Sequence, residues 1–248
     1  MSTAHTRILH MHIEKCGGTA LRLAMERALG PGARACPTRA ERELGGLRPD
    51  QWDLISGHFG WAVLQPMGGR IVTILRDPVE RFVSSYYYWR DMYRNGGDTS
   101  HRSSLTDKYS LDDFATIKDD HSLVAQLFNR MTWQVAYSGI PAKRQELRAR
   151  GVTDTQLLGM AVENLRACAA VGLQERMDDF VVEFSQRLGL TLTIERENVT
   201  GGRPERTELA AGTRRRILEW VYLDMELYQA ACALVAARAR GYAAEAAA

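Results

Sequence analysis

The sequence predicts an α/β layer structure with a mainly parallel central sheet flanked by helices. Three observations carry this reading. Short β-rich apolar runs alternate with longer segments of helical periodicity, the pattern of strands joined through helices. The clearest run, RIVTIL at 70–75, is β-branched and almost wholly apolar, as suits a strand covered on both faces. Two strand ends lead straight into helices, through Glu14-Lys15-Cys16-Gly17-Gly18 and through Arg76-Asp77-Pro78.

The elements follow in order. Residues 7–13 (RILHMHI) read as a first strand, and TALRLAMERAL after the glycines as a helix. Thr19 is its expected cap, and Gly30-Pro31-Gly32 its stop. Residues 33–50 are ambiguous, with room for a short strand and a charged helix near 39–44. A strand at 52–56 ends at Gly57-His58, and the strand at 70–75 ends at Arg76-Asp77-Pro78. Pro78 suits the first turn of the next helix, VERFVSSYYYWRDMY, and Asp77 its cap. Residues 96–104 read as a polar loop. Helices are expected at 111–117, 122–137 and 153–165, the last capped by Thr153 or Asp154. A short strand at 169–171 and a helix at 178–188, stopped by Gly189, come next. Residues 195–207 read as a second polar loop and 214–240 as one long helix. The whole chain, 1–248, reads as a single domain.

Composition narrows the class. The 248 residues carry 32 Lys and Arg against 30 Asp and Glu, a net charge of +2 that gives no reason to expect a nucleic-acid partner. Hydrophobic residues make up 45%, so a sizeable core is available. The four cysteines, Cys16, Cys36, Cys168 and Cys232, have no zinc-like spacing and suit free thiols in a reducing compartment. No apolar run is long enough for a signal peptide or a membrane span, and a cytoplasmic setting is expected.

If the sheet is parallel, the loops at 14–19, 57–61 and 76–84 converge outside the carboxyl ends of the strands, where such sheets bind ligands. Lys15 and Cys16-Gly17-Gly18-Thr19 suit an anion. Two glycines allow close backbone approach, the helix start presents N–H groups, and Lys15 and Thr19 add a cation and a hydroxyl. A helix-entry turn with a solvent lysine explains the same residues. Arg76 ends a buried strand with a guanidinium suited to phosphate oxygens, and Ser84 lies two turns further on. A surface ion-pair cluster is the plainer alternative. His58 at a strand end is a candidate base, while His10 and His12 suit packing or hydrogen bonding. The run Tyr86-Tyr87-Tyr88-Trp89 reads mostly as core, with a second face open to contact with an adenine ring or an acceptor.

These residues resemble the sulfotransferase family that uses 3′-phosphoadenosine 5′-phosphosulfate (PAPS). The branch includes the Golgi carbohydrate sulfotransferases, among them heparan sulfate 2-O-sulfotransferase, and bacterial relatives. The family pattern HIPKTGGTS is matched by His12-Ile13-Glu14-Lys15-Cys16-Gly17-Gly18-Thr19-Ala20. RDPxxRxxSxY is matched by the chain from Arg76 through Arg81 and Ser84 to Tyr86. Gly57-His58 matches a Gly-His step between them, and VGLQERM at 171–177 and YLDMELY at 222–228 resemble two later segments.

The resemblance implies a three-layer P-loop-like fold, although the Walker sequence GxxxxGK[ST] is absent. It implies that Lys15, Cys16, Gly17, Gly18, Thr19 and Ala20 hold the 5′-phosphosulfate of PAPS, and that Arg76 and Ser84 hold the 3′-phosphate. His58 takes the proton of a hydroxyl acceptor on a glycan, glycolipid or small metabolite, Lys15 steadies the leaving group, and no metal is expected. Two departures from the pattern bear on charge and reactivity in the loop. Glu14 replaces a common proline, so its side chain is expected to point away or to pair with an arginine. Cys16 replaces a threonine and puts a thiol open to oxidation in the loop. A nucleotide phosphotransferase and a nonenzymatic anion- or glycan-binding module are the alternatives. Residues 96–104 and 195–207 are the expected acceptor loops.

Overall fold

A computed structural model describes residues 7–37, 48–194 and 208–246. The expected charged helix near 39–44 and the loop at 195–207 lie outside the described residues.

Five strands form one sheet: β1 (Ile8–Met11), β2 (Ala35–Pro37), β3 (Leu54–Gly57), β4 (Arg70–Leu75) and β5 (Ala170–Leu173). Their order is β2-β3-β1-β4-β5, and every pairing is parallel. The run at 70–75 is a strand over its whole length and is buried from Ile71 onward. β1 and β3 are buried at all four positions, so neither face meets water, and helices flank the sheet in a three-layer arrangement.

Helices α1 (Gly18–Leu29), α2 (Trp61–Leu64), α3 (Pro78–Arg94), α4 (His101–Lys108) and α5 (Leu111–Phe114) precede β5, as do α6 (His121–Leu127), α7 (Arg130–Ala136), α8 (Pro141–Ala149) and α9 (Asp154–Ala167). After β5 come α10 (Met177–Leu188), α11 (Ala211–Trp220) and α12 (Tyr222–Ala246). Several expectations hold. Asp77 caps α3 by accepting from the Val79 and Glu80 amides, with Pro78 in the first turn. Thr153 and Gln156 form a capping box at α9, and Gly189 ends α10 in a left-handed conformation.

Others need correction. Thr19 is not the cap of α1. Gly17 holds that position at φ 80°, without a side-chain cap, and Thr19 is the second helical residue. The polar stretch at 96–104 turns helical at His101, because Ser100 accepts from the Ser103 amide and starts α4. The expected helix at 111–117 stops at Phe114, and 141–149, given no structure from sequence, is helix α8.

The two long helices expected at 122–137 and 214–240 are each broken, and for one reason. Asn129 stands at φ 45° between α6 and α7, and its side-chain oxygen accepts from the Leu223 and Asp224 amides at the start of α12. Asp224 returns the contact, accepting from the Met131 and Thr132 amides of α7 and from the Thr132 hydroxyl. Each helix start is capped by a residue from the other break, so otherwise orphaned N–H groups find partners.

The main core lies around the sheet. A second cluster, which includes Phe82, Tyr86, Trp89, Phe114, Leu127, Ile217 and Trp220, anchors α3 against the helices beside it. That anchoring fixes the outward face of α3, which forms one wall of the site below.

Candidate functional site

From β1 the chain passes to one side of the sheet, towards β2 and β3, and from β4 to the other, towards β5. The crevice between adjacent β1 and β4 is therefore a point where strand order reverses, the preferred ligand position in such sheets. A cleft of about 500 Å³ opens there. Its lining includes Lys15, Gly17, Gly18, Thr19, Ala20, His58, Arg76 and Ser84, so eight of the nine residues singled out from sequence meet in one place.

The loop after β1 is built for close approach. Lys15 (φ 66°) and Gly17 (φ 80°) both take left-handed backbone conformations. Gly18 needs its missing side chain for another reason: a Cβ there would lie 2.0 Å from Cδ2 of His12. The helical ladder of α1 begins with the Leu21 amide donating to the Gly17 carbonyl at 3.2 Å. The Gly18, Thr19 and Ala20 amides, one turn earlier, thus stand at the positive end of a twelve-residue helix, on the cleft wall. An anion fits this cradle. The Lys15 ammonium lies 3.6 Å above the ring of Tyr88, on the opposite wall.

Cys16 is the residue left out. Its side chain is 1% exposed and belongs to the core, and burial pushes its thiol up to about 12. A thiol so protonated is a poor nucleophile, so the expectation of an oxidisable sulfur on the cleft is corrected. Only the backbone of Cys16 can serve the loop.

Arg76 has a part that sequence did not reveal. Its Nη1 donates to the Lys15 carbonyl at 3.1 Å, and its Nη2 lies 3.5 Å from a Glu80 carboxylate oxygen. It therefore braces the Lys15 turn across the β1–β4 crevice while facing the cleft. Nearby, the Asp77 amide donates to Glu175, whose other oxygen accepts from the Tyr228 hydroxyl. The segments at 171–177 and 222–228 thus meet directly behind the Arg76 turn.

His58 is held by a backbone carbonyl just past the end of β1. Its Nδ1 lies 3.0 Å from the His12 carbonyl, which also accepts from Nε2 of the Gln134 side chain at 2.9 Å. A carbonyl can only accept, so Nδ1 carries the proton and Nε2 of the neutral ring has the lone pair. That atom is the one available to take a proton.

His12 stacks between the rings of His10, at 5.2 Å, and His58, at 4.5 Å. Burial, and then its neighbour His58, push His12 down to about 3, so it remains neutral. His10 is also held far below its ordinary value by burial, and it hydrogen-bonds Ser56 at 2.7 Å, as packing and hydrogen bonding from sequence would have it.

Glu14 does not point away. It lines the cleft, with a carboxylate oxygen 3.8 Å from Nε2 of His58. Sequence reasoning misses His12, Met92 and Gln174 as cleft residues, while Tyr88 and Trp89 belong to the run whose second face reads as open to an adenine ring or an acceptor. For Met92 a signal existed, because it continues the face of α3 that runs through Ser84 and Tyr88. Asp98 and Arg102 lie in the stretch singled out at 96–104; they pair at 3.3 Å, with Arg102 over Trp89.

Among the described residues no cluster of three His, Cys, Asp or Glu side chains is placed to hold a metal, and no helix is long and apolar enough to cross a membrane. A scan against protein-family models finds no match, and a search of curated proteins finds none.

Proposed function

We propose that the chain is a PAPS-dependent sulfotransferase of P-loop-like fold, transferring a sulfuryl group to a hydroxyl acceptor in a reducing, cytoplasmic setting. The observation that carries this reading is the composition of one cleft. It joins a helix-start cradle, the cationic side chains of Lys15 and Arg76, and a histidine whose lone pair is fixed at Nε2.

The donor supplies an activated sulfuryl group on a good leaving phosphate. The residues divide the remaining work. The amides at 18–20 and the Lys15 ammonium stabilise charge that builds on the leaving oxygen. Lys15 has to leave the Tyr88 ring to do so, a short movement for a flexible side chain. Arg76 and Ser84 grip the second phosphate, and Arg76 ties that grip to the Lys15 turn. His58 takes the acceptor proton at Nε2 while Nδ1 stays bound to the His12 carbonyl, so the ring keeps its orientation through the transfer.

Two measurements test the reading. Calorimetry should show adenosine 3′,5′-bisphosphate binding without metal and more tightly than adenosine 5′-phosphate or ATP–Mg²⁺. Preference for ATP–Mg²⁺ would favour a phosphotransferase instead. His58→Ala should lower transfer from labelled donor by 10²–10⁴-fold, the ordinary contribution of a general base, while bisphosphate affinity changes little. Unchanged turnover would remove His58 from the chemistry. Donor binding with no transfer to any of a broad acceptor panel would leave a binding module.

A further inference from the structure

The cleft holds a negative charge that the gripping of an anionic donor does not use. Glu14 lies on its wall with its side chain 32% exposed, and among the described residues its one ion-pair partner is Nε2 of His58 at 3.8 Å, which counts as such only when that ring is protonated. Burial favours the neutral acid, but His58 in its protonated form, and then Arg130, Arg102 and Arg81, hold the carboxyl below its ordinary pKa. Those arginines are engaged elsewhere. Arg102 pairs with Asp98 and stacks on Trp89, Arg130 donates to the Gly139 carbonyl, and Arg81 faces the Gln126 and Leu127 carbonyls. They act on Glu14 from a distance, and among the described residues no donor hydrogen-bonds its carboxylate.

An ionised carboxylate beside the base needs a positive partner. A protonated His58 could serve, but its lone pair would then be lost to the reaction. The donor is an anion and makes the need greater. The remaining component is the acceptor, whose reacting hydroxyl must approach the same Nε2.

We propose that Glu14 recognises the acceptor, and that the acceptor carries a protonated amine on the carbon next to the reacting hydroxyl, as in an amino sugar with a free amine. This rests on the sulfuryl-transfer reading of the cleft. Two groups on adjacent carbons suit two protein atoms as close as the Glu14 oxygen and Nε2 of His58. The hydroxyl donates to Nε2 and the ammonium to Glu14. A carboxylate or sulfate at the same place would face Glu14 directly and be repelled, which separates this site from one for a polyanionic glycan.

The test reads binding rather than turnover. The His58 ring resonances are followed by NMR at pH 6.5 in 0.15 M salt, with saturating adenosine 3′,5′-bisphosphate. Two probes are titrated: a tetramer of glucosamine, and cellotetraose, which has a hydroxyl in place of each amine. The wild-type protein should bind the amino tetramer about tenfold more tightly, the scale of one charge-assisted hydrogen bond. Glu14→Gln should bring the two affinities together and leave bisphosphate affinity within about twofold. Equal affinities in the wild type, no shift of His58 by the amino tetramer, or a preference that survives Glu14→Gln overturns the proposal. A Glu14-dependent preference in a protein that does not bind bisphosphate would keep the amine subsite and reject the sulfuryl-transfer reading.

Discussion

Replacing Gly18 by Ala tests the coupling between the anion cradle and the histidine stack. The added Cβ would lie 2.0 Å from Cδ2, 2.4 Å from Nε2 and 2.8 Å from Cγ of His12. Ordinary van der Waals contact begins near 3.4 Å. The imidazole must therefore retreat by more than an ångström, and it is hemmed in by His10 on one side and His58 on the other. Overpacking of this kind costs about 1–3 kcal/mol. Removing a helical glycine returns at most ~1 kcal/mol, less at the first helical position. A net loss of about 1–2 kcal/mol remains, which at this chain length lowers Tm by roughly 2–8 °C. Scanning calorimetry measures it. Gly159→Ala is the control, since Gly159 is exposed on α9 with nothing within 4 Å of the new Cβ, and it should gain about 0.5–1 kcal/mol. Gly18→Ala should also shift the His58 resonances and weaken bisphosphate binding, because the displaced His12 ring abuts His58 and the Gly18 amide belongs to the cradle. A variant that melts at or above the wild type with His58 unmoved would refute the reasoning.

Two further outcomes follow from the same contacts. His10 and His12 have folded-state pKa values depressed by burial, His12 to about 3, against an unfolded value near 6.5. Below pH ~6.5 the unfolded chain takes up protons that the folded chain refuses, so stability is full above that pH and falls as pH drops towards 3. Each histidine contributes a slope of up to about 1.4 kcal/mol per pH unit. Urea midpoints from pH 7 to 5 should fall, and less steeply in His12→Asn; equal slopes would contradict the assignment. Asp224→Ala should cost about 3–5 kcal/mol, because it strips three buried donors at the start of α7 of their acceptor. A loss under 1 kcal/mol in urea denaturation would show that the reciprocal capping is dispensable.

Much of the site was legible because its residues act through local geometry. Arg76-Asp77-Pro78 announces a strand end, a cap and a first helical turn, and the chain folds so. Two adjacent glycines after a strand announce a close turn, although Gly17 and not Thr19 caps the helix. The convergence of the three loops followed from a parallel sheet, and the sheet is parallel throughout its described strands. Periodicity failed at 128–129 and at 221. A helical pattern continues through both, and only the distant partner that each break supplies makes it favourable to leave the helix.

The sequence by itself determined the strand–loop–helix units, the sign of charge at two strand ends and the position of a histidine at a third. These depend on residues a few places apart, whose spacing the chain itself sets. The tertiary structure decided which side chains share the cleft. It turned Cys16 into the core, wedged His12 against Gly18, placed Tyr88 beneath Lys15, and gave Arg76 the Lys15 carbonyl to hold. It also brought Glu14 to His58, forty-four places away in the chain, where the parallel pairing of β1 with β3 sets their two loops side by side.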